Sequence, residues 1–403
     1  MRKTFKYRLL GNKTTFANAE RWLDLCRNLY NAALEERITA YKTHKVSISC
    51  YNQMKELPEL KVVIPEYKNI DAQTLQDVLE RLDRAYKAFF RRLKNKEKAG
   101  FPRFKGKDRY DSFILKQHGW KIDRKYLTIR NIGRFKMRLS RPLVGIVKTV
   151  GIHQESTGKW YVCFSCDNVP ERKLPESNET IGIDVGIKSF CVDSEDRNTD
   201  NPQYLKESLR DLRIKQRRLS RRKKGGMSRG KARLQVAKAH EGVKNRRNDF
   251  LHKLANHYVR NYGVIAVEEL NIKGMERNHR LARSIDDAGW GIFVRLLTYK
   301  AVEAGRQIVR IPQFTPTSKM CSECSAINQE LKLSDRQWVC QSCGTLHDRD
   351  YNAAKNIKRV GQTQQALTCE VAQSVACESP KNGKGDCQDE REYADTDMEI
   401  LND

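Results

Sequence analysis

Four cysteines late in the chain are set out for metal binding. Cys321 and Cys324 form one pair with two residues between them, Cys340 and Cys343 form another, and fifteen residues separate the pairs. A Cys-x-x-Cys pair chelates from one tight turn, and two pairs complete a tetrahedral four-thiolate zinc site with no position left for water. The spacing therefore predicts one structural Zn²⁺ that orders the segment and does no hydrolysis. Three acids supply the other chemistry: Asp184 in IGIDVG, a glutamate of VIAVEEL (Glu268 or Glu269) and an aspartate of HDRD (Asp348 or Asp350). Each ends or interrupts an apolar segment, where a charge is costly unless something compensates it. Singly, such an acid is an ordinary cap or salt-bridge partner. Three that converge repel one another and stay ionised only beside divalent cations, and Mg²⁺ prefers such oxygen ligands. Two such ions clamp the attacking and leaving oxygens of a phosphodiester.

The segments that must hold these residues alternate strand and helix. TIGIDVGIKSFCVD reads as strand, glycine turn and strand, GVIAVEEL as a buried strand, GIFVRLLTYKAVEAG as a helix and QIVRIP as another strand. That alternation predicts an α/β domain. Upstream, residues from about Thr15 to Lys98 are helical in pattern, with Leu75, Val78, Leu79, Leu82, Ala85, Tyr86 and Phe89 on one stripe and Arg81, Arg84, Lys87 and Arg91 elsewhere. GFPRFKGKDRYDSF then interleaves Phe101, Phe104, Tyr110 and Phe113 with cations, which suits base stacking with phosphate contacts or, equally, a loop pinned to its own core. Beyond it Phe135, Met137 and Leu139 alternate with cations, and VGIHQESTGKWYVCFSC reads as a hairpin. This is a small antiparallel β domain. Its Cys163 and Cys166 fall on opposite faces of a strand and read as core thiols.

The chain has 403 residues, with 77 Lys and Arg against 50 Asp and Glu, a net charge of +27. After Val360 there are three basic and ten acidic residues, so the tail is at −7 and the preceding 360 residues at +34. An excess of that size repels itself unless a polyanion is the partner, and nucleic acid is the first expectation. KQRRLSRRKKGGMSRGKAR holds ten Lys or Arg and no acid, on a predicted helical hairpin turning near Gly225 and Gly226. Arg217, Arg218, Arg221, Arg222, Lys223 and Lys224, with Arg103 and Lys105, are the candidate nucleic-acid contacts. The acidic end lacks apolar periodicity and is expected to be disordered. No apolar run approaches the roughly 18 residues of a membrane span, and MRKTFKYRLL breaks up any signal-peptide core, so no membrane partner is expected.

Taken in order, GIDVG, VEELNIKGM, the four-cysteine ribbon and DRDYNAAKNI resemble the three RuvC motifs and zinc ribbon of the TnpB family. These are transposon-encoded, RNA-guided DNA nucleases related to type V CRISPR effectors. The resemblance covers nearly the whole chain to about Val360, and RRNDFLHKLANHYV and ARSIDDAGWGIF look like the family's linking segments. It implies a multidomain α/β fold: an RNase H-like RuvC nuclease domain over 177–315 and 346–360, an inserted zinc ribbon over 316–345, a helical recognition domain over 15–98, a small antiparallel β-barrel wedge domain over 1–14 and 99–176, and an acidic disordered tail over 361–403. Carried over by position, Asp184, Glu268 and Asp350 are the catalytic acids that hold two Mg²⁺. The resemblance also implies a guide RNA from the transposon end, a double-stranded DNA target beside a short motif read by the protein, and a lid over 271–287 carrying Arg277, Arg280 and Arg283. A monomer in the prokaryotic cytoplasm, associated with the nucleoid, is the expected setting. The rival expectations are a catalytically silent RNA-guided repressor, a transposase and a guide-free nuclease.

Overall fold

The computed structural model describes residues 1–332 and 334–377, the side chains of 108 and 367–377 aside, and the chain divides into two compact units. The first comprises Met1–Leu174, Gln203–Leu254 and Glu303–Gly305. Here β1 (Lys3–Leu10) leads into α1 (Lys13–His44), α2 (Cys50–Lys55), α3 (Leu57–Val63) and α4 (Ala72–Lys94). Strands β2 (Ser112–Leu115), β3 (Trp120–Asp123), β4 (Tyr126–Ile129), β5 (Gly133–Arg138), β6 (Ile146–Gln154) and β7 (Trp160–Asp167) follow. All seven strands join one antiparallel sheet, ordered β2-β6-β7-β1-β5-β4-β3. Alternation puts Phe5, Tyr7 and Leu9 of β1 and Trp160, Val162, Phe164 and Cys166 of β7 in the core, the antiparallel pattern expected from the period of two.

Asn12 opens α1 by accepting from the Thr15 amide, and Asp71 opens α4 by accepting from that of Gln73. Leu75, Val78, Leu79 and Leu82 of α4 are buried as their spacing predicts, each contributing about 1.5–3 kcal/mol. Arg81, off that stripe, nonetheless turns inward. It donates to Asp77 at 2.7 Å and to the Ser112 carbonyl at 2.9 Å, because Asp77 is itself buried and needs a cation.

The second unit comprises Pro175–Pro202, Ala255–Val302 and residues from Arg306 on. Its strands are β8 (Thr180–Val185), β9 (Ser189–Asp193), β10 (Asn198–Asp200), β11 (Val264–Glu268) and β12 (Gln307–Ile311), in the order β10-β9-β8-β11-β12. β8, β11 and β12 run parallel, while β9 and β10 are antiparallel additions at one side. This is the α/β sheet that the strand and helix alternation predicts. Two long helices of the first unit, α5 (Tyr204–Ser220) and α6 (Met227–Asn261, whose end from Ala255 on belongs to the second), form the expected hairpin, with Gly225 at φ +85° in the turn.

Helices α7 (Ile272–Met275) and α8 (Ala282–Ala288) occupy much of the segment 271–287, since Asn271 caps the first on the Gly274 amide and Gly289 ends the second at φ +73°. Next come α9 (Trp290–Ala304), the hairpin β13 (Gln337–Val339) and β14 (Leu346–Asp348), and α10 (Arg349–Cys377). α10 lies against β8 and β11. A Cβ on Gly182 would come under 3.0 Å from backbone atoms of Ala354 and Lys358, and one on Gly361 would lie 2.6 Å from the Ala266 Cβ. Helix and strands therefore approach at backbone distance, and Ala353 and Ala354 are fully buried there. α10 also corrects the expected start of the disordered tail: it continues past Gly361, held by that contact and by a run free of proline and glycine. The rest of the acidic tail, 378–403, lies outside the described residues.

Candidate active site and four-cysteine cluster

Asp184 and Glu268 close two adjacent parallel strands. Ile183 is in register with Val267, so the two acids follow side by side on backbones about 4.8 Å apart. Gly182 and Asp184 share one face of β8, and Ala266 and Glu268 share one face of β11. That face is the one α10 covers, and the first turn of α10 carries Asp350. Carboxyl ends of parallel strands are where open α/β sheets place their ligands.

The electrostatics agree with that convergence. Burial, then the charges of Glu268 and Asp350, push the Asp184 carboxyl well above the usual carboxylate range, with Arg349 pulling the other way. Burial also raises Glu268, opposed by a hydrogen bond from the Thr317 hydroxyl. Arg336 Nη1 lies 3.4 Å from Asp350 Oδ2. The three acids stop short of a tight cluster: among the described residues, only the four cysteines bring three or more His, Cys, Asp or Glu ligand atoms within 4.8 Å of one another.

Geometry separates the adjacent acids. Asp348 Oδ1 accepts from the amides of Asp350 and Tyr351, both at 3.0 Å, which makes Asp348 the N-cap of α10 and leaves the Asp350 carboxylate free of that task. Glu268 is half-buried, whereas Glu269 is exposed. A further buried acid, Asp193, accepts from the Glu195 and Arg197 amides and the Tyr258 hydroxyl, so its role is to organise a turn.

In the cysteine cluster Cys321 and Cys343 sulfurs lie 3.7 Å apart and those of Cys324 and Cys340 3.5 Å apart. A tetrahedral thiolate site with metal–sulfur bonds of about 2.3 Å has edges of about 3.8 Å, so the cage has the right size. Each pair is a knuckle of the same form. The Cys321 and Cys340 amides donate to the Ala326 and Thr345 carbonyls, and Ser325 and Gly344, one residue past each pair, have φ of +66° and +74°. Hydrogen bonds from Thr345 pull Cys343 down to about 6. Beside the cage, His347 Nε2 lies 3.0 Å from Cys321 Sγ and its ring packs on Trp338.

Arg217, Arg218, Arg221, Arg222, Lys223 and Lys224 all lie exposed at the α5–α6 turn, and Arg103 is exposed as well. Lys105 is less free: its backbone is clamped by Asn31 and its ammonium lies 5.9 Å from the Tyr30 ring centre. The aromatics around it divide. Tyr110 and Phe113 are core, Phe101 packs on Tyr86 and Phe89, and Phe104 remains exposed. Sequence reasoning missed Thr317, Asn352, Asn356, Arg336 and His347. The two asparagines had left a signal, since they fall four residues apart on the helical face that also carries Ala353 and Ile357.

The second unit thus carries carboxylates at the ends of adjacent parallel strands and on the helix packed across them, together with a four-cysteine cage. Comparison with known proteins supplies the family. A model described as "Probable transposase" matches residues 163–279, one described as "Cas12f1-like, TNB domain" matches 290–357, and one described as "Helix-turn-helix domain" matches 1–45, where the structure has β1 and the single long helix α1. A Streptomyces pristinaespiralis protein, provisionally named an RNA-guided DNA endonuclease, is 30% identical over 402 residues, covering 98% of this chain and 97% of its own. InsQ of Escherichia coli K12, provisionally named likewise, is 30% identical over 392 residues, covering 92% and 95%. The solved structure of the mini-RNA-guided endonuclease CRISPR-Cas_phi3 shares the fold at a TM-score of 0.52 and 10% identity, over 90% of this chain and 92% of that one. The chain belongs to the TnpB family.

Proposed function

We propose that this chain is an RNA-guided DNA endonuclease that hydrolyses phosphodiesters at Asp184, Glu268 and Asp350 with two Mg²⁺. The observation that carries this is the placement of the three acids: Asp184 and Glu268 end adjacent parallel strands, and the first turn of the helix packed on that same face carries Asp350. An arrangement of that kind costs stability without a cation and marks a functional site. The donors fit Mg²⁺, since all three are hard carboxylate oxygens. When bound, the ions supply an activated water and stabilise the leaving oxygen. The chain's own residues prepare that chemistry. Thr317 orients Glu268, Asp348 holds the turn that presents Asp350, and Arg336 and Arg349 bring positive charge to the acids.

The four cysteines hold one structural Zn²⁺. The guide RNA, made from the transposon end, and the double-stranded target lie on the basic surfaces, with Arg217, Arg218, Arg221, Arg222, Lys223, Lys224 and Arg103 as contacts and Lys105 as a lesser one. Target sequence is read by pairing, and the protein reads a short motif beside it. On this reading 1–14 and 99–176 are the barrel wedge, 15–98 the recognition helices, 177–315 and 346–360 the RuvC domain, 316–345 the ribbon and 271–287 a lid. The protein works as a monomer in the prokaryotic cytoplasm.

The test begins with protein purified from cells carrying its native flanking DNA. Co-purifying RNA is sequenced, and the complex is given a plasmid library with a randomised motif, in Mg²⁺ or EDTA. Cleavage that requires a matching target, a defined RNA and Mg²⁺ is the expected result. Binding without cleavage would make the chain a repressor, joined strands would make it a transposase, and cutting without RNA a guide-free nuclease.

A further inference from the structure

Asn352, Asn356 and Arg359 are spaced four and three residues apart on α10 and share one face. Both asparagines are buried, beside Ala353, Ala354 and Ile357, and buried amides must be paired. Nearly all of their side-chain hydrogen bonds reach a single short segment. Asn356 Nδ2 donates to the carbonyls of Thr317 at 2.8 Å and Met320 at 2.6 Å. Asn352 Nδ2 donates to Met320 O at 2.8 Å, and its Oδ1 accepts from the Ser322 amide at 2.9 Å. Arg359 reaches Ser325 Oγ at 3.0 Å and also donates to Asn356 Oδ1 at 3.0 Å.

That segment contains the first knuckle, with Cys321 between Met320 and Ser322, and it begins at Thr317, whose hydroxyl donates to Glu268. We propose that this face of α10 is a clasp through which the four-cysteine knuckle sets the position of Glu268, with Thr317 as the positioning residue that passes it on. The proposal rests on Glu268 being an active-site carboxylate. Thr317 suits the task because a β-branched side chain on a fixed backbone has little rotamer freedom. Coupling of this kind is reciprocal: whatever orders the knuckle also orders Thr317, and the reverse.

Guide-loaded complexes of the wild type, Thr317→Val, Thr317→Ser, Asn356→Ala and the Thr317→Val/Asn356→Ala double variant test it, with Glu268→Gln alongside. Each is measured for zinc content, melting temperature, amide exchange across 317–322 and target cleavage as a function of Mg²⁺. Thr317→Val should raise the Mg²⁺ needed for half-maximal cleavage by about tenfold, the usual effect of losing a group that orients a metal ligand. Zinc content and melting temperature should hold. Thr317→Ser keeps the hydroxyl and should restore the Mg²⁺ requirement. Asn356→Ala should speed exchange at 317–322 and raise the Mg²⁺ requirement, and the double variant should be no worse than the worse single one, because both act along one line. An unchanged Mg²⁺ requirement in Thr317→Val, or multiplied effects in the double variant, would overturn the clasp. Full activity in Glu268→Gln would overturn the site assignment itself, and the clasp with it.

Discussion

The two aspartates of HDRD should respond oppositely to the same change. Asp348 is the α10 N-cap, accepting two amides at 3.0 Å, and Asn caps about as well as Asp. Asp348→Asn should therefore cleave within about twofold of wild type, apart from a loss of charge at the helix terminus worth about 0.3–1 kcal/mol. Asp348→Ala removes the cap as well, at about 1 kcal/mol. Together these come to about 1.5 kcal/mol, so the balance between the ordered and frayed first turn falls by about tenfold, which bounds the loss of rate. Asp350→Asn instead removes one proposed Mg²⁺ ligand. If that interaction supplies about 4 kcal/mol of several, the rate falls about a thousandfold. Single-turnover cleavage of a matched target by each guide-loaded variant, with target binding measured in parallel, separates these cases. Asp348→Asn as inactive as Asp350→Asn would refute the assignment, because the cap argument leaves no route to so large a loss.

Four other outcomes follow from the geometry. Gly182→Ala sets a Cβ against the backbone of α10, so it should cost about 3 kcal/mol, and differential scanning fluorimetry should show a melting temperature about 6–12 °C lower. A carboxyl whose folded pKa is raised, such as Asp184, adds stability below the unfolded value of about 4 and loses it as pH rises through the folded value. In EDTA, Asp184→Asn should therefore melt above wild type at pH 7–8 and level with it near pH 4, and Mg²⁺ should reverse the order at neutral pH. Cys340→Ser should drop bound zinc from about one ion per chain and unfold the ribbon, seen by metal analysis and amide exchange. Replacing Arg221, Arg222, Lys223 and Lys224 with alanine should flatten the slope of log affinity against log salt by about 0.7–0.9 for each phosphate no longer neutralised, as filter binding over a salt series would show.

What could be read from the sequence was whatever is fixed by periodicity or by a short spacing. The α4 stripe through Leu75 and Leu82, the β7 alternation, the parallel strands ending in Asp184 and Glu268, and the paired cysteines each depend on residues within a few positions of one another. Arg81 shows where this fails, since its place on a helical wheel says nothing of Asp77's need for a cation. The long helix α10 runs on past Gly361, where the acidic tail was expected to begin. A glycine past an apolar run suggests a helix stop, yet here its missing side chain admits Ala266 at close range and the helix continues.

Chemical type alone was no better guide to role. Asp193, Asp348 and Asp184 are all aspartates at or beside strand ends, and only their hydrogen bonds tell a turn organiser and a helix cap from a carboxylate left facing two others. A carboxylate whose oxygens are taken by backbone amides is neutralised where it sits. One that accepts little and is buried beside like charges needs a cation from outside the chain. The same logic runs through the last helix: Asn352 and Asn356 announce, by sharing a helical face with Ala353 and Ile357, that partners must exist, but the sequence cannot say that those partners lie some thirty residues upstream, around Cys321. Residues that hold a site together are thus the least visible in a sequence, because their meaning lies in a pairing that only the fold brings about.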